Sequence, residues 1–119
     1  MKKYNIQNYI RYKNDMSSVL ARLPDIDYEE YSRDQLIIRF LPLVENLARK
    51  FSTSQQAIGV MTINDLIQEG FYGLCAGIDR INWETINEAK DKEKTLKSFL
   101  SKRIKGAIRR GIDSNRGSM

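Results

Sequence analysis

The sequence predicts an all-α protein, a compact bundle of about four helices. Apolar residues recur at spacings of three and four, the 119 residues include only Pro24 and Pro42 as prolines, and no alternating valine or threonine runs mark strands. With 41% hydrophobic and 29% charged residues, the composition is that of one ordinary domain with a single core. A chain of this size has little apolar surface to spare, so a partner surface could complete the structure.

Asn5 to Leu23 reads as a first helix with Ile6, Ile10, Val19 and Leu20 among its apolar positions, ended by Pro24 and the acidic stretch Asp25 to Glu30. Ser32 or Arg33 opens a second helix, whose residues Leu36, Ile37, Phe40, Leu41, Val44, Leu47, Ala48 and Phe51 form one buried face. Pro42 lacks a backbone donor and clashes with the carbonyl four residues earlier, so it either bends this helix or divides it in two. Ser52 to Val60 reads as a loop.

Thr62 followed by Asp65 resembles a capping box and starts a third helix, which runs to about Arg80 with the stripe Leu66, Ile67, Leu74 and Ile78. Gly70, Gly73 and Gly77 inside it each cost up to about 1 kcal/mol relative to alanine, which predicts close approach of another backbone. Asn82 to Glu93 reads as a loop or short helical connector, although Trp83, Ile86 and Ala89 are apolar. Thr95 is the expected cap of a last helix, with Leu96, Phe99, Leu100, Ile104, Ala107, Ile108 and Ile112 on one side and Lys102, Lys105 and Arg109 on the other. The chain thus divides into a helical extension (1–30), the main helical domain (31–113) and a short tail (114–119).

Several function classes are excluded or made remote. The nearly uncharged stretch Phe51 to Asn64 is too short and too polar to span a bilayer, and Tyr4 to Tyr12 is polar where an export signal needs an apolar run. The expected setting is intracellular, away from membranes. A single cysteine, Cys75, cannot form an internal disulfide, and without histidine the usual zinc-ligand sets and the commonest general base are missing. None of the seven glycines stands in a phosphate-binding, dinucleotide-binding or nucleophile-elbow spacing, so neither enzymatic activity nor a cofactor is expected.

The net charge of +5 is unevenly placed. From Lys90 onward there are ten basic residues against three acids, whereas the first 89 residues carry ten bases and twelve acids. A cationic stripe confined to one end is the footprint of a polyanion partner, most often nucleic acid. Charge alone fits a solvated helix face equally well.

The string Asp65-Leu66-Ile67-Gln68-Glu69-Gly70, followed by Gly73-Leu74 and Ile78-Asp79, is similar to the core segment of bacterial sigma-70 family sigma factors. Leu41-Pro42-Leu43-Val44 with Leu47-Ala48-Arg49 resembles the preceding helix of that family. Ser98-Phe99 and Arg103-Ile104-Lys105-Gly106-Ala107-Ile108 resemble its promoter-contacting helix, in the version of flagellar and general-stress sigma factors. The resemblance covers about Asp34 to Ile112, the family's region two, and implies a sigma-region-2-like fold.

It also implies partners. The third helix would dock on the clamp helices of the largest subunit of bacterial RNA polymerase through Asp65, Gln68, Glu69, Phe71 and Tyr72. Carboxylates and an amide on one turn can pair with cations of a partner helix, though taken alone these residues also suit a solvated first turn favoured by the helix dipole. The last helix would bind promoter DNA through Lys94, Lys97, Phe99, Lys102, Arg103, Lys105, Arg109 and Arg110, reading and opening a minus-ten-type element. Stacking of an unpaired base on Phe99 would contribute roughly 1 to 3 kcal/mol, while the cations hold phosphates. Phe99 fits the apolar stripe of its helix as well as it fits this stacking position.

The sequence departs from the family at Lys102 and Arg103, which fall where primary sigma factors carry a tryptophan pair that wedges the duplex open. Arginine can still stack through its planar guanidinium, and Trp83 is another candidate for strand opening. The connector Trp83 to Glu93 is longer than the common pattern. No helix-turn-helix segment follows within the sequence, which suggests a fragment or a reduced sigma factor like the late factors of some bacteriophages. Such a factor would rely on a separate activator or co-sigma protein and act in the bacterial cytoplasm at the nucleoid. The main alternative is a sigma mimic that occupies the clamp-helix site and inhibits or redirects transcription; a generic helical DNA-binding protein leaves the Asp65 to Gly70 string unexplained.

Overall fold

The structure is a computed structural model that describes residues 15–53 and 61–117, with side chains as far as residue 115. Residues 15–21 are helical (α1), and a 3-10 turn follows at Tyr28–Glu30. The main helices are α2 (Arg33–Ser52), α3 (Ile63–Ile78), the short α4 (Trp83–Glu88) and α5 (Lys92–Gly117). The fold is all-α and compact, as predicted, with no strand among the described residues. The expected start of the first helix, including Ile6 and Ile10, lies outside the described residues, as do residues 54–60 of the loop expected over Ser52 to Val60; Ser52 itself closes α2, its hydroxyl donating to the Arg49 carbonyl at 2.7 Å.

Local chemistry accounts for the helix starts. Ser32 and Thr62 are both N-caps of reciprocal capping boxes, Ser32 with Gln35 and Thr62 with Asp65. Helix α2 runs unbroken through Pro42, so the two-helix alternative is excluded. Buried Phe40 and Val44 flank the proline and hold both halves of the helix to one core, which outweighs the missing hydrogen bond. The start of α5 differs from expectation. Asp91, not Thr95, caps it: the Lys94 amide donates to Asp91 Oδ1 at 3.1 Å, and the Thr95 amide donates to the Asp91 carbonyl at 3.0 Å. The carboxylate suits a helix N-terminus, and the earlier start adds a turn before Leu96.

Helix α3 lies at the centre, and its packing with α5 and with α2 is the most extensive in the fold. Leu66 and Leu74 of α3 meet Val44 of α2 and Leu96, Leu100, Ile104 and Ile108 of α5 in one cluster in which all are fully buried. Each such side chain contributes about 1.5 to 3 kcal/mol relative to an exposed one. The glycines of α3 permit the close fit: a Cβ on Gly70 would meet Val44 Cγ1 at 2.9 Å, and one on Gly77 would meet the Arg103 stem at 3.2 Å. Arg33 Nε, at the start of α2, donates to Asp79 Oδ1 at 2.6 Å and so ties α2 to the end of α3. No described helix is long and apolar enough to cross a membrane.

Candidate functional site

At 100° per residue, Asp65, Gln68, Glu69 and Tyr72 share one face of α3, with Phe71 beside Gln68. Gln68 is exposed, and Tyr72 is 65% exposed, an unusual placement for a large aromatic residue. The Phe71 ring is half-buried and meets Tyr72 edge-on, with centroids 6.4 Å apart. Asp65 is half-buried, and its Oδ2 accepts the Thr62 amide at 3.1 Å, as the capping box anticipated from the sequence requires. Glu69 lays its stem over α5, where a Cβ on Gly111 would lie 2.7 Å from Glu69 Cγ.

The predicted DNA-binding residues of α5 fall into separate groups. Lys94, Phe99 and Lys102 line a hollow of about 570 Å³ between α4 and the first half of α5, completed by Asn82, Thr85, Ile86, Thr95 and Ser98. Phe99 is half-buried, so its ring belongs partly to the core and partly to this wall. The Arg103 guanidinium lies over the Phe99 ring at 5.2 Å, and Lys102 and Arg103 are both exposed. Lys97 is exposed and stands 3.6 Å from Glu93 Oε1, while Lys105 is half-buried.

Two cations face elsewhere. The Arg109 guanidinium lies 5.6 Å from the Phe51 ring at the end of α2. Arg110 lines a second hollow, of about 400 Å³, together with Glu69 and Tyr72, so the structure joins it to the α3 face rather than to Phe99. Trp83 does not line the Phe99 hollow; it faces residues 25–29 across a third hollow with Asn87, Lys92 and Glu93.

Sequence reasoning missed the contribution of residues before the main domain. Glu93 Oε1 accepts the Tyr28 hydroxyl at 2.8 Å and lies 3.4 Å from Arg39 Nη2. The Tyr28 bond, with support from Lys97 and Arg39, holds the Glu93 carboxyl below the usual carboxylate range. Burial and the bond to Glu93 raise the Tyr28 hydroxyl above its ordinary value, so it remains a donor. Asn87 Nδ2 donates to Glu29 at 2.6 Å. The only sequence signals were an aromatic and acidic stretch, which carries no partner assignment by itself.

No group of three or more metal-ligating side chains occurs among the described residues. A helical bundle that places a cationic, aromatic-bearing helix beside an apolar hollow, and an aromatic and polar face on the neighbouring helix, is built as a binding module. The family model for sigma-70 region 2 matches residues 36–117, and the chain belongs to that family. Its role is therefore sigma-factor-like, in transcription initiation, in a family of non-enzymatic domains that bind core RNA polymerase and promoter DNA. Comparison with curated proteins and with solved structures found no match.

Proposed function

We propose that this protein is an initiation factor that docks α3 on the clamp helices of bacterial core RNA polymerase and uses α5 to recognise and open a minus-ten-type promoter element. The observation that carries this reading is the apolar hollow beside Phe99, lined also by Lys94 and Lys102, with the Arg103 guanidinium over the same ring. An unpaired base entering it meets the ring for stacking and the hydroxyl-bearing side chains Thr85, Thr95 and Ser98 for edge contacts, while the cations hold the strand by its phosphates. Arg103, its guanidinium 5.2 Å from the Phe99 ring centre, adds a planar cation beside that aromatic surface. Lys97 and Lys105 add phosphate contacts further along the strand, whereas Arg109 and Arg110 are turned toward Phe51 and the α3 face.

On α3, Gln68, Glu69, Phe71 and Tyr72 make the docking face, and Asp65 divides its carboxylate between the helix cap and the partner. An exposed tyrosine with polar neighbours is the composition of an interface anchor. Residues 31–113 form the working domain, acting in the bacterial cytoplasm at the nucleoid.

Run-off transcription tests the proposal. Bacterial core polymerase with this protein as the added factor is expected to yield discrete transcripts from AT-rich promoter DNA, and the variant Gln68→Ala, Glu69→Ala, Tyr72→Ala to lose them. Tight, variant-sensitive polymerase binding with suppression of transcription by another sigma factor would instead identify a clamp-site mimic.

A further inference from the structure

The family match begins at residue 36, which leaves the fastening of residues 25–31 without an assigned role. The hollow beside Phe99 depends on α4, and α4 has only six residues. So short a helix cannot sustain itself, because nucleation costs more than its few hydrogen bonds supply. Asn82 caps it and buried Ile86 seats it on the core. Its outer side is held by the bond from Asn87 to Glu29.

The first turn of α5 is braced in the same way. Tyr28 reaches Glu93 from a ring anchored against Phe40, with centroids 5.4 Å apart, and against Tyr31 at 5.8 Å. Tyr31 in turn donates its hydroxyl to the Pro24 carbonyl at 2.6 Å. Ile86 is a shared wall: it lines the hollow of about 310 Å³ under residues 25–29 and, on the other side, the hollow that holds Phe99.

We infer that Tyr28 and Glu29 are positioning residues for DNA reading: through Glu93 and Asn87 they hold α4 and the first turn of α5 apart at the width that admits an unpaired base beside Phe99. The inference rests on the DNA-reading role proposed for α5. The Tyr28 hydroxyl bonds to a charged carboxylate, which makes this brace stronger than a neutral pair.

The test uses the full chain bound to bacterial core polymerase and forked AT-rich DNA carrying 2-aminopurine at single unpaired positions. Stacking beside Phe99 quenches the probe. Tyr28→Phe keeps the ring on Phe40 and removes the hydroxyl; Asn87→Ala releases Glu29. Each variant is expected to weaken binding by about twofold to tenfold, the span of one hydrogen bond, and to reduce quenching at saturating protein, with an unchanged circular dichroism spectrum. Combined with Ser98→Ala, a residue of the hollow, Tyr28→Phe should show a non-additive loss. Wild-type quenching in Tyr28→Phe, or a loss strictly additive with Ser98→Ala, would make Tyr28 a purely structural residue and overturn the inference. Absence of quenching at every position in the wild-type protein would instead overturn the DNA-reading role itself, and the inference with it.

Discussion

The carbonyl oxygen of Arg103 on α5 lies 2.7 Å from the point where a side chain on Gly73 of α3 would begin. Ala107 Cβ lies equally close, at 2.7 Å, so the two helices cross with backbone almost against backbone. This crossing fixes the helix proposed to face polymerase relative to the helix proposed to face DNA.

Gly73→Ala would therefore meet backbone that cannot swing aside. The gain of up to about 1 kcal/mol in helix propensity is outweighed by overpacking, and a net loss of about 1 to 3 kcal/mol is expected on thermal unfolding. Gly106→Ala supplies the opposite sign. Its nearest neighbour is the flexible end of Arg110, Nη1 at 3.3 Å, so that variant should be as stable as the wild type or up to about 1 kcal/mol more stable.

Asp65 is engaged in the α3 cap as well as placed on the proposed docking face, and the two duties separate experimentally. Thr62→Ala removes the cap partner and leaves the carboxylate, so it should cost about 1 kcal/mol of stability while polymerase affinity holds. Gln68→Ala, at an exposed position, should lower polymerase affinity with no change in melting temperature. Asp65→Ala should do both. Paired melting curves and polymerase titrations check all three.

Lys102→Glu reverses a charge at the rim of the Phe99 hollow on an exposed side chain. Affinity for promoter DNA should fall, and the salt dependence of binding should flatten by about one unit of slope for each phosphate left unneutralised. Melting should be unaffected. An unchanged salt slope would place the phosphate path elsewhere on α5.

The Arg33 hydrogen bond holds the Asp79 carboxyl below its ordinary range, and the Tyr28 bond does the same for Glu93. A carboxyl depressed in the folded state stabilises fully above its unfolded value and loses that contribution as pH falls through the folded one. Melting temperature should therefore decline in the acidic range below the ordinary carboxylate values of about 4. Asp79→Asn should lie below the wild type near neutral pH and converge with it in acid, which a pair of melting series would show.

Much of this was legible locally. Ser32 and Thr62 were visible as helix starts because capping couples residues three apart. The core stripes of α2, α3 and α5 were legible because burial imposes the helical period on apolar residues. The cap of α5 was misplaced because Asp91 and Thr95 are both able caps, and the choice depends on where the preceding α4 ends.

Amphipathic period, caps, charge asymmetry and the Asp65 to Gly70 string are properties of neighbouring residues, so the chain alone carried the helical class and pointed to the family. The division of the cations among the Phe99 hollow, Phe51 and the α3 face depended on which helix packs beside each turn of α5. The pairing of Tyr28 with Glu93, 65 residues apart, likewise exists only once α2 and α5 are packed. Linear spacing has no reach over such distances; the core that brings those helices together does.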